Sequence, residues 1–113
     1  AISSGATRRS LGERLEAAGA TPARLIANSA RISRHAKIGR GAVICDFSVI
    51  EPFVTIGAHF HANVRVFVAH ESIIGDYVTF GPGAICNGNV HIGDGVYIGA
   101  GALIRQGTSR KPL

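Results

Sequence analysis

Apolar residues recur at every sixth position from Ile26 to Ile104 without a single slip of register. This first column consists of Ile26, Ile32, Ile38, Ile44, Ile50, Ile56, Ala62, Val68, Ile74, Phe80, Cys86, Ile92, Ile98 and Ile104. A second column of mostly smaller residues follows four positions after each: Ala30, Ala36, Ala42, Ser48, Val54, Phe60, Val66, Ser72, Val78, Ala84, Val90, Val96, Ala102 and Thr108. A helix buries positions three and four apart and a long strand alternates, so a period of six predicts neither. It predicts a short strand and a corner, repeated along the chain.

The repeat predicts a triangular coil. Each unit of six residues forms one side, so three units close a turn and residues eighteen apart stack at about 4.8 Å. The first column points into the coil, and the second lies near the corners, where glycine relieves crowding of the backbone. Glycine often follows the first column, at Gly39, Gly57, Gly75, Gly81, Gly93 and Gly99. We therefore expect an all-β fold, a parallel β-helix with three hexads per coil over residues 26–113.

A different pattern precedes the repeat. Residues 7–19 predict an amphipathic helix, with Thr7 or Ser10 as its N-cap and Gly19 at its end. The apolar stripe of this helix consists of Leu11, Leu15 and Ala18. A helix of this length is marginal in water by itself. We therefore expect it to pack on a region that is absent from this chain.

Both ends of the chain indicate an internal fragment of a longer protein. The chain contains no methionine, and residues 107–113 leave the six-residue rhythm in a basic loop that contains proline. We expect the β-helix to continue beyond this loop.

Composition excludes several classes of function. The formal net charge of +5 favours anionic ligands such as phosphates, but the basic residues are scattered, which disfavours nucleic acid. No apolar run is long enough to span a bilayer, and no basic-then-apolar leader opens the chain. Cys45 and Cys86 fall at different phases of the repeat, so we expect no disulfide and a reduced, cytoplasmic setting.

One segment places two side chains that suit acid–base catalysis on the outer side of the coil. His70 comes two positions after the core residue Val68, which points it outward, and Glu71 follows directly. An imidazole that a carboxylate orients and holds in its cationic form suits general-base catalysis at neutral pH. Taken alone, such a pair is more often a solvated surface pair, so the surrounding pattern has to decide.

The surrounding pattern resembles that of the hexapeptide-repeat acyltransferases, notably sialic-acid O-acetyltransferases and bacillosamine-type nucleotide-sugar N-acetyltransferases. Asn63 is followed seven positions later by His70-Glu71, and Gly88-Asn-Val comes one full turn after the histidine. Gly-Pro-Gly-Ala at 81–84 and Ile-Gly-Ala-Gly-Ala at 98–102 also match. The resemblance covers essentially the whole chain and implies that the coil is left-handed. It also implies a preceding Rossmann-like domain that binds the nucleotide sugar, whose last helix and connecting strand correspond to residues 1–25.

The resemblance implies roles for individual residues. His70 would take a proton from the acceptor amine or hydroxyl, Glu71 would raise its basicity, and Asn63 would lie beside the acceptor. Gly88 would leave room for the thioester arm of acetyl-CoA, and its N–H would polarise the thioester carbonyl. Ala100 would border the same arm. The alternative is that Gly88 and the glycines flanking Ala100 serve only to turn corners.

The chain departs from the family pattern nine positions after His70. A second histidine associated with the acetyl group is common there, and this chain has Thr79, which we assign to cofactor binding. A hydroxyl can donate a hydrogen bond but does not titrate near neutral pH. His61 precedes Thr79 by eighteen residues and is a candidate to compensate. Coils that line the cofactor channel in the family would lie beyond Leu113, so we expect this chain alone to be inactive or incomplete as a catalyst.

The remaining histidines suggest a metal only weakly. Zinc needs ligands that converge at about 2 Å. The zinc-binding β-helix carbonic anhydrases use a histidine pair five positions apart, and no such pair occurs among His59, His61 and His70. We therefore expect no metal.

Three aromatic residues outside the core phase predict assembly. These are Phe53, Phe67 and Tyr97. Similar proteins are trimers with the active site in the cleft between neighbours, and a cyclic homotrimer is a closed assembly.

The sequence and the resemblance thus predict an acyltransferase that moves an acetyl group from acetyl-CoA to an amino or hydroxyl group of a sugar, which the resemblance implies to be nucleotide-linked. The alternative is a non-catalytic scaffold or ligand-binding module. An ice-binding coil is disfavoured because outward threonines such as Thr55 are isolated. The acceptor sugar, the choice between N- and O-acylation, and the acyl chain length stay open.

Overall fold

The structure is a computed structural model and describes residues 2–113. Helix α1 (Gly5–Ala17) is followed by two-residue strands at every hexad. The strands are β1 (Leu25–Ile26), β2 (Arg31–Ile32), β3 (Lys37–Ile38), β4 (Val43–Ile44), β5 (Val49–Ile50), β6 (Thr55–Ile56), β7 (His61–Ala62), β8 (Phe67–Val68), β9 (Ile73–Ile74), β10 (Thr79–Phe80), β11 (Ile85–Cys86), β12 (His91–Ile92), β13 (Tyr97–Ile98) and β14 (Leu103–Ile104). The second residue of each strand is the first-column residue, so the predicted strand positions are confirmed.

Three parallel sheets form the sides of the coil. Sheet A has the strand order β1-β4-β7-β10-β13, sheet B is β2-β5-β8-β11-β14, and sheet C is β3-β6-β9-β12. Paired residues are eighteen apart, as Ile44 and Ala62 are in sheet A. The predicted all-β fold, a left-handed parallel β-helix of hexapeptide repeats preceded by one helix, is confirmed.

The two apolar columns fill the interior of the coil. Phe60 and Phe80 are fully buried and meet edge to face, with ring centroids 5.5 Å apart. Burying an aliphatic or aromatic side chain of this size contributes about 1.5–3 kcal/mol relative to leaving it exposed. Burial is weaker at the N-terminal end of the coil, where Ile26 is 41% exposed.

Each corner uses one residue in the left-handed region of backbone space. The third residue after the core position has φ between 56° and 71° at every corner from Gly41 to Gly101. Seven of these corner residues are not glycine: Phe47, Phe53, His59, Arg65, Glu71, Tyr77 and Asn89. This conformation costs an L-residue roughly 1–2 kcal/mol. The repeat therefore places His59 and Glu71 at corners, where their side chains leave the coil.

Helix α1 begins two residues earlier than predicted, and the prediction of Thr7 or Ser10 as its cap is wrong. The N-cap is Ser4, whose Oγ accepts a hydrogen bond from the Thr7 N–H at 3.3 Å. Gly19 follows the helix with φ 94°, and the next N–H, that of Ala20, donates to the Leu15 carbonyl at 2.9 Å. This is a Schellman arrangement, so the prediction that glycine ends the helix is confirmed.

Helix α1 contacts the coil, and the expectation that it also packs on an absent region stays a prediction. Arg8 donates to Thr79 Oγ1 at 2.6 Å and to the carbonyls of His59 and Val78, each at 3.2 Å. The Arg9 guanidinium lies 4.8 Å from the centre of the Tyr77 ring. No residue of α1 is buried. These contacts are made by polar side chains, and Leu15 of the predicted apolar stripe is 58% exposed.

Candidate active site

His70 and Glu71 form a pair at the corner between sheets B and C. Strand β8 ends at Val68, Ala69 is buried, and the left-handed backbone at Glu71 turns the chain toward β9. His70 Nδ1 lies 3.1 Å from Glu71 Oε2, and the imidazole is 43% exposed. The carboxylate can only accept, so it takes the Nδ1–H and leaves the Nε2 lone pair of a neutral ring available for a proton.

Neighbouring turns hold this pair on both sides. The His70 N–H donates to Glu51 Oε2 at 3.0 Å. From the next turn, Asn89 Nδ2 donates to Glu71 Oε2 at 3.4 Å, and the Asn89 N–H donates to the His70 carbonyl at 3.0 Å. Sequence reasoning assigned no role to Glu51 or Asn89. The eighteen-residue stack was the signal for Asn89, which lies one turn after Glu71.

Gly88 lies directly against the imidazole, as the stacking prediction requires. A Cβ at position 88 would come within 2.5 Å of His70 Cε1 and 2.6 Å of Nε2. Real Cβ contacts are not this short, so a side chain here would displace the ring. The structure therefore brings His70, Glu71 and Gly88 together, with Nε2 on the glycine side.

Asn63 and Ala100 lie at another corner, between sheets A and B. Asn63 directly follows strand β7 and Ala100 comes two residues after the end of strand β13, both in sheet A, and Asn63 Oδ1 accepts the N–H of Val64 at 2.8 Å. An open groove of about 540 Å³ runs along this corner; it is lined by Asp46, Phe47, Val64, Arg65, Pro82 and Gly83. The outer face of sheet B separates this corner from the His70 corner. Within one chain, the structure does not join Asn63 or Ala100 to the His70 cluster.

Thr79 lies on the outer face of sheet A and is covered by the residues before α1. Its hydroxyl donates to the Ser3 carbonyl at 2.7 Å and accepts from Arg8, so Thr79 is only 2% exposed. His61 is its neighbour in the sheet, as predicted, and is also buried. Burial and the nearby Arg8 charge lower the pKa of His61. These contacts direct Thr79 toward the N-terminal segment, and its assignment to cofactor binding stays a prediction.

The contacts of His59 indicate a structural role, because they join helix α1 to the coil. Its Nε2 lies 3.1 Å from Glu16 Oε1 on α1, and its ring stacks on Tyr77 at a centroid distance of 4.9 Å. In the part of the chain that the structure describes, no three histidine, cysteine or acidic side chains converge as metal ligands. Cys86 is in the core, and burial raises the pKa of its thiol to about 11, which makes it a poor nucleophile near neutral pH.

Comparison with known proteins identifies the repeat. Residues 71–106 match the family described as bacterial transferase hexapeptide, six repeats. The whole chain is 43% identical to a GDP-perosamine N-acetyltransferase from Escherichia coli O157:H7 over 113 residues, which are 51% of that protein. Residues 71–106 are thus similar to the hexapeptide repeats of that family.

Solved structures show the same fold in relatives of this hexapeptide-repeat chain. WeeI from Acinetobacter baumannii AYE superimposes with a TM-score of 0.93 at 44% identity, over 100% of this chain and 53% of that one. The acetyltransferase domain of PglB from Neisseria gonorrhoeae FA1090, in complex with acetyl coenzyme A, gives a TM-score of 0.89 at 32% identity. That match covers 94% of this chain and 52% of the other. The chain thus spans about half the length of the relatives it matches.

No helix in the described residues is long and apolar enough to cross a membrane.

Proposed function

We propose that the protein carrying this chain transfers an acetyl group from acetyl-CoA to an amino group of a nucleotide-linked sugar, with His70 as general base. The observation that carries the proposal is the open His70–Glu71 pair, whose Nε2 faces Gly88. The E. coli relative is a GDP-perosamine N-acetyltransferase and the PglB domain was solved with acetyl coenzyme A, which supports the substrate classes and favours an amino over a hydroxyl acceptor.

The geometry supports a simple sequence of proton transfers. Glu71 holds the Nδ1–H, so His70 Nε2 takes a proton from the acceptor nitrogen as that nitrogen forms its bond to the thioester carbon. The Gly88 N–H donates to the oxygen on which negative charge develops. When the intermediate collapses, the C–S bond breaks and the imidazolium returns its proton to the departing thiolate of coenzyme A. Glu71 stabilises the imidazolium throughout.

The outer face of sheet B is the proposed contact between subunits. Its outward residues stack as Val49, Phe67, Ile85 and Leu103. Leu103 is 65% exposed. On sheet A, the corresponding stack at His61 and Thr79 is covered by the N-terminal segment. Packing of sheet B against a second copy would bring the Asn63–Ala100 corner of one subunit toward the His70–Gly88 corner of its neighbour.

A homotrimer built through this face would combine His70, Glu71, Gly88, Asn63 and Ala100 in one cleft, whereas Thr79 lies on the outer face of sheet A. Asn63 would contact the sugar, and Ala100 would border the pantetheine arm, each from the subunit next to the one that supplies His70. Light scattering on the full-length protein should give the mass of a trimer, and Leu103→Lys should lower that mass. A strictly monomeric, active protein would contradict the intersubunit site.

The proposed domain organisation follows from the same likeness. Residues 1–25 would be the end of a preceding Rossmann-like domain that binds the nucleotide sugar, and residues 26–113 would be part of a longer β-helix. We propose a cytoplasmic location from the cysteine usage, and neither nucleic acid nor membrane as a partner.

Ligand binding separates the candidate functions. In a thermal-shift assay, acetyl-CoA and coenzyme A should raise the Tm of the full-length protein, by mass action on the folded state, and zinc should not. Acetyl-CoA with a nucleotide-linked amino sugar should then release free thiol. A shift with zinc alone would favour a metal-dependent hydratase, and no shift with any of the three would favour a scaffold.

A further inference from the structure

We propose that Ser72, inside the coil, is a positioning residue for acetyl transfer: its hydroxyl holds the Asn87–Gly88 peptide so that the Gly88 N–H points at the thioester carbonyl. This inference rests on the proposed function and adds to it a residue that never touches substrate.

Ser72 bridges the corner that contains Gly88. Its Oγ donates to the Asn87 carbonyl at 3.1 Å and accepts the Val90 N–H at 3.3 Å. Four other corners close without a bridge, because the fourth N–H donates directly to the first carbonyl. In the corner that begins at Gly81, for example, the Ala84 N–H donates to the Gly81 carbonyl at 3.2 Å. At the Asn87 corner, the Ser72 hydroxyl makes the link between the first carbonyl and the fourth N–H that a direct bond makes at those four corners.

Fixing the Asn87 carbonyl also fixes the next N–H. The described residues contain no cis peptide bond, and in a trans peptide the C=O and the following N–H point in opposite directions. The Asn87 carbonyl points inward to Ser72. The Gly88 N–H therefore points away from Ser72 and out of the coil.

The Gly88 N–H lacks an acceptor, which some N–H groups at the equivalent corner position have. The N–H groups of Asp94 and Ala100 also lack one, but those residues are exposed. Two positions after the core residue, the Ala58 N–H donates to Asp76 Oδ1 at 2.7 Å and the His70 N–H donates to Glu51 Oε2 at 3.0 Å. Among residues 2–113, Gly88 is buried and its N–H finds no such acceptor. A buried donor without a partner costs about 1–3 kcal/mol. A ligand carbonyl would supply the missing acceptor.

The fold itself does not require a hydroxyl at position 72. Valine occupies the same stack one turn before and one turn after, at Val54 and Val90. Between Ala30 and Ala102, the second column carries hydroxyls only at Ser48 and Ser72. Ser48 bridges the Asn63 carbonyl and the Val66 N–H in the same way, at 3.0 and 3.2 Å. Both hydroxyls therefore lie beneath corners that carry proposed site residues.

The test compares Ser72→Val with Ser72→Thr in the full-length protein. The two side chains have nearly the same shape, and the neighbouring valines indicate that the coil accepts either. The readout is the carbonyl stretching frequency of bound [1-¹³C]acetyl-CoA without acceptor. We expect a hydrogen-bonded, lowered frequency in the wild type and in Ser72→Thr, and loss of that shift in Ser72→Val. With acceptor present, kcat of Ser72→Val should fall roughly tenfold or more, since losing a whole oxyanion donor costs about 100- to 1,000-fold. KM for acetyl-CoA should change little.

Ser48→Val is the matched control, because it removes the same bridge from the corner where the Val64 N–H is already bonded to Asn63. It should keep the carbonyl shift. The inference would be overturned if Ser72→Val kept the wild-type carbonyl frequency and kcat. It would also be overturned if Ser48→Val lost the lowered carbonyl frequency as Ser72→Val does. Ser72→Ala replaces the valine variant if that one does not fold. Failure of the wild type to bind acetyl-CoA would overturn the proposed function itself, whereas binding without a lowered frequency would overturn only the role of the Gly88 peptide.

Discussion

Two histidines in this coil pair with a glutamate at the same distance and have different surroundings. His59 Nε2 lies 3.1 Å from Glu16, its ring stacks on Tyr77, and only 13% of its side chain is exposed. His70 Nδ1 also lies 3.1 Å from its partner, Glu71, but the side chain is 43% exposed. We call the His59–Glu16 pair, which joins the helix to the coil, the closed pair, and the more exposed His70–Glu71 pair the open pair.

The comparison shows that a histidine–carboxylate distance does not by itself identify a catalytic base. What distinguishes the two pairs is which nitrogen the carboxylate engages and how much of the ring is exposed. Glu16 engages Nε2 of His59, whose ring lies against Gly41 and is stacked by Tyr77, so only 13% of the side chain is exposed. Glu71 engages Nδ1 of His70, whose side chain is 43% exposed. Only the second arrangement gives a substrate access to an unprotonated nitrogen.

Removing the two imidazoles in turn gives the largest expected contrast. His70→Ala should lower kcat by about 100- to 10,000-fold, the usual contribution of a general base, while the Kd for coenzyme A stays close to that of the wild type. His59→Ala should keep turnover and lose stability, by about 1 kcal/mol from the aromatic stacking alone. Steady-state kinetics, titration with coenzyme A and thermal unfolding measure the three quantities. Equal losses of kcat in both variants would remove the distinction between the pairs.

A smaller loss of kcat is expected when a side chain is added to Gly88, beside His70. Gly88→Ala puts a Cβ where the imidazole lies, and displacing a catalytic group by about 1 Å can cost on the order of 100-fold in rate. Gly93→Ala is the matched control, since a Cβ there meets nothing within 4 Å. We expect kcat to fall only in the first variant. Unchanged kinetics of Gly88→Ala would mean that the stacked glycine is only a corner residue.

The strands and the stacking of His70 on Gly88 were predictable from the sequence, because a rigid period converts position into geometry. The docking of α1 was not. It depends on Arg8 reaching Thr79, 71 residues away, and on Glu16 meeting a histidine whose corner conformation places it outward. The N-cap was mispredicted because Ser4, Thr7 and Ser10 are all suitable residue types. The bridge made by Ser72 was missed because a small residue in the second column was interpreted only as packing.

Neutralising Glu71, the carboxylate of the open pair, should lower kcat only modestly. Glu71→Gln keeps an oxygen that can accept the Nδ1–H but loses the charge that stabilises the imidazolium. Because Glu71 is 53% exposed, solvent screens that charge, and about two- to fivefold in kcat is expected from the usual strength of exposed pairs. A loss as large as that of His70→Ala would show that Glu71 does more than orient and stabilise the ring.

The smallest expected effect is a pH dependence of the stability of the folded chain. It comes from His61, which lies on sheet A under the N-terminal segment. Burial and the Arg8 charge lower the pKa of His61 below its usual 6.5, so the unfolded chain binds a proton there before the folded chain does. The stability that depends on a neutral, buried His61 is fully present above pH 6.5, and it is lost as the pH falls toward the pKa of His61 in the folded chain. The Tm should therefore drop between about pH 6.5 and the lowered pKa. His61→Val should flatten that drop, since Val43 occupies the same stack, whereas His91→Val, at an exposed histidine, should not.

The central claim is that the open pair presents an unprotonated Nε2 beside Gly88 while the closed pair does not. Nitrogen-15 NMR of the two imidazoles, recorded where each is neutral, tests this most directly. The account predicts opposite tautomers, with the proton on Nδ1 in His70 and on Nε2 in His59. A neutral His70 that carries its proton on Nε2 would contradict its role as the base.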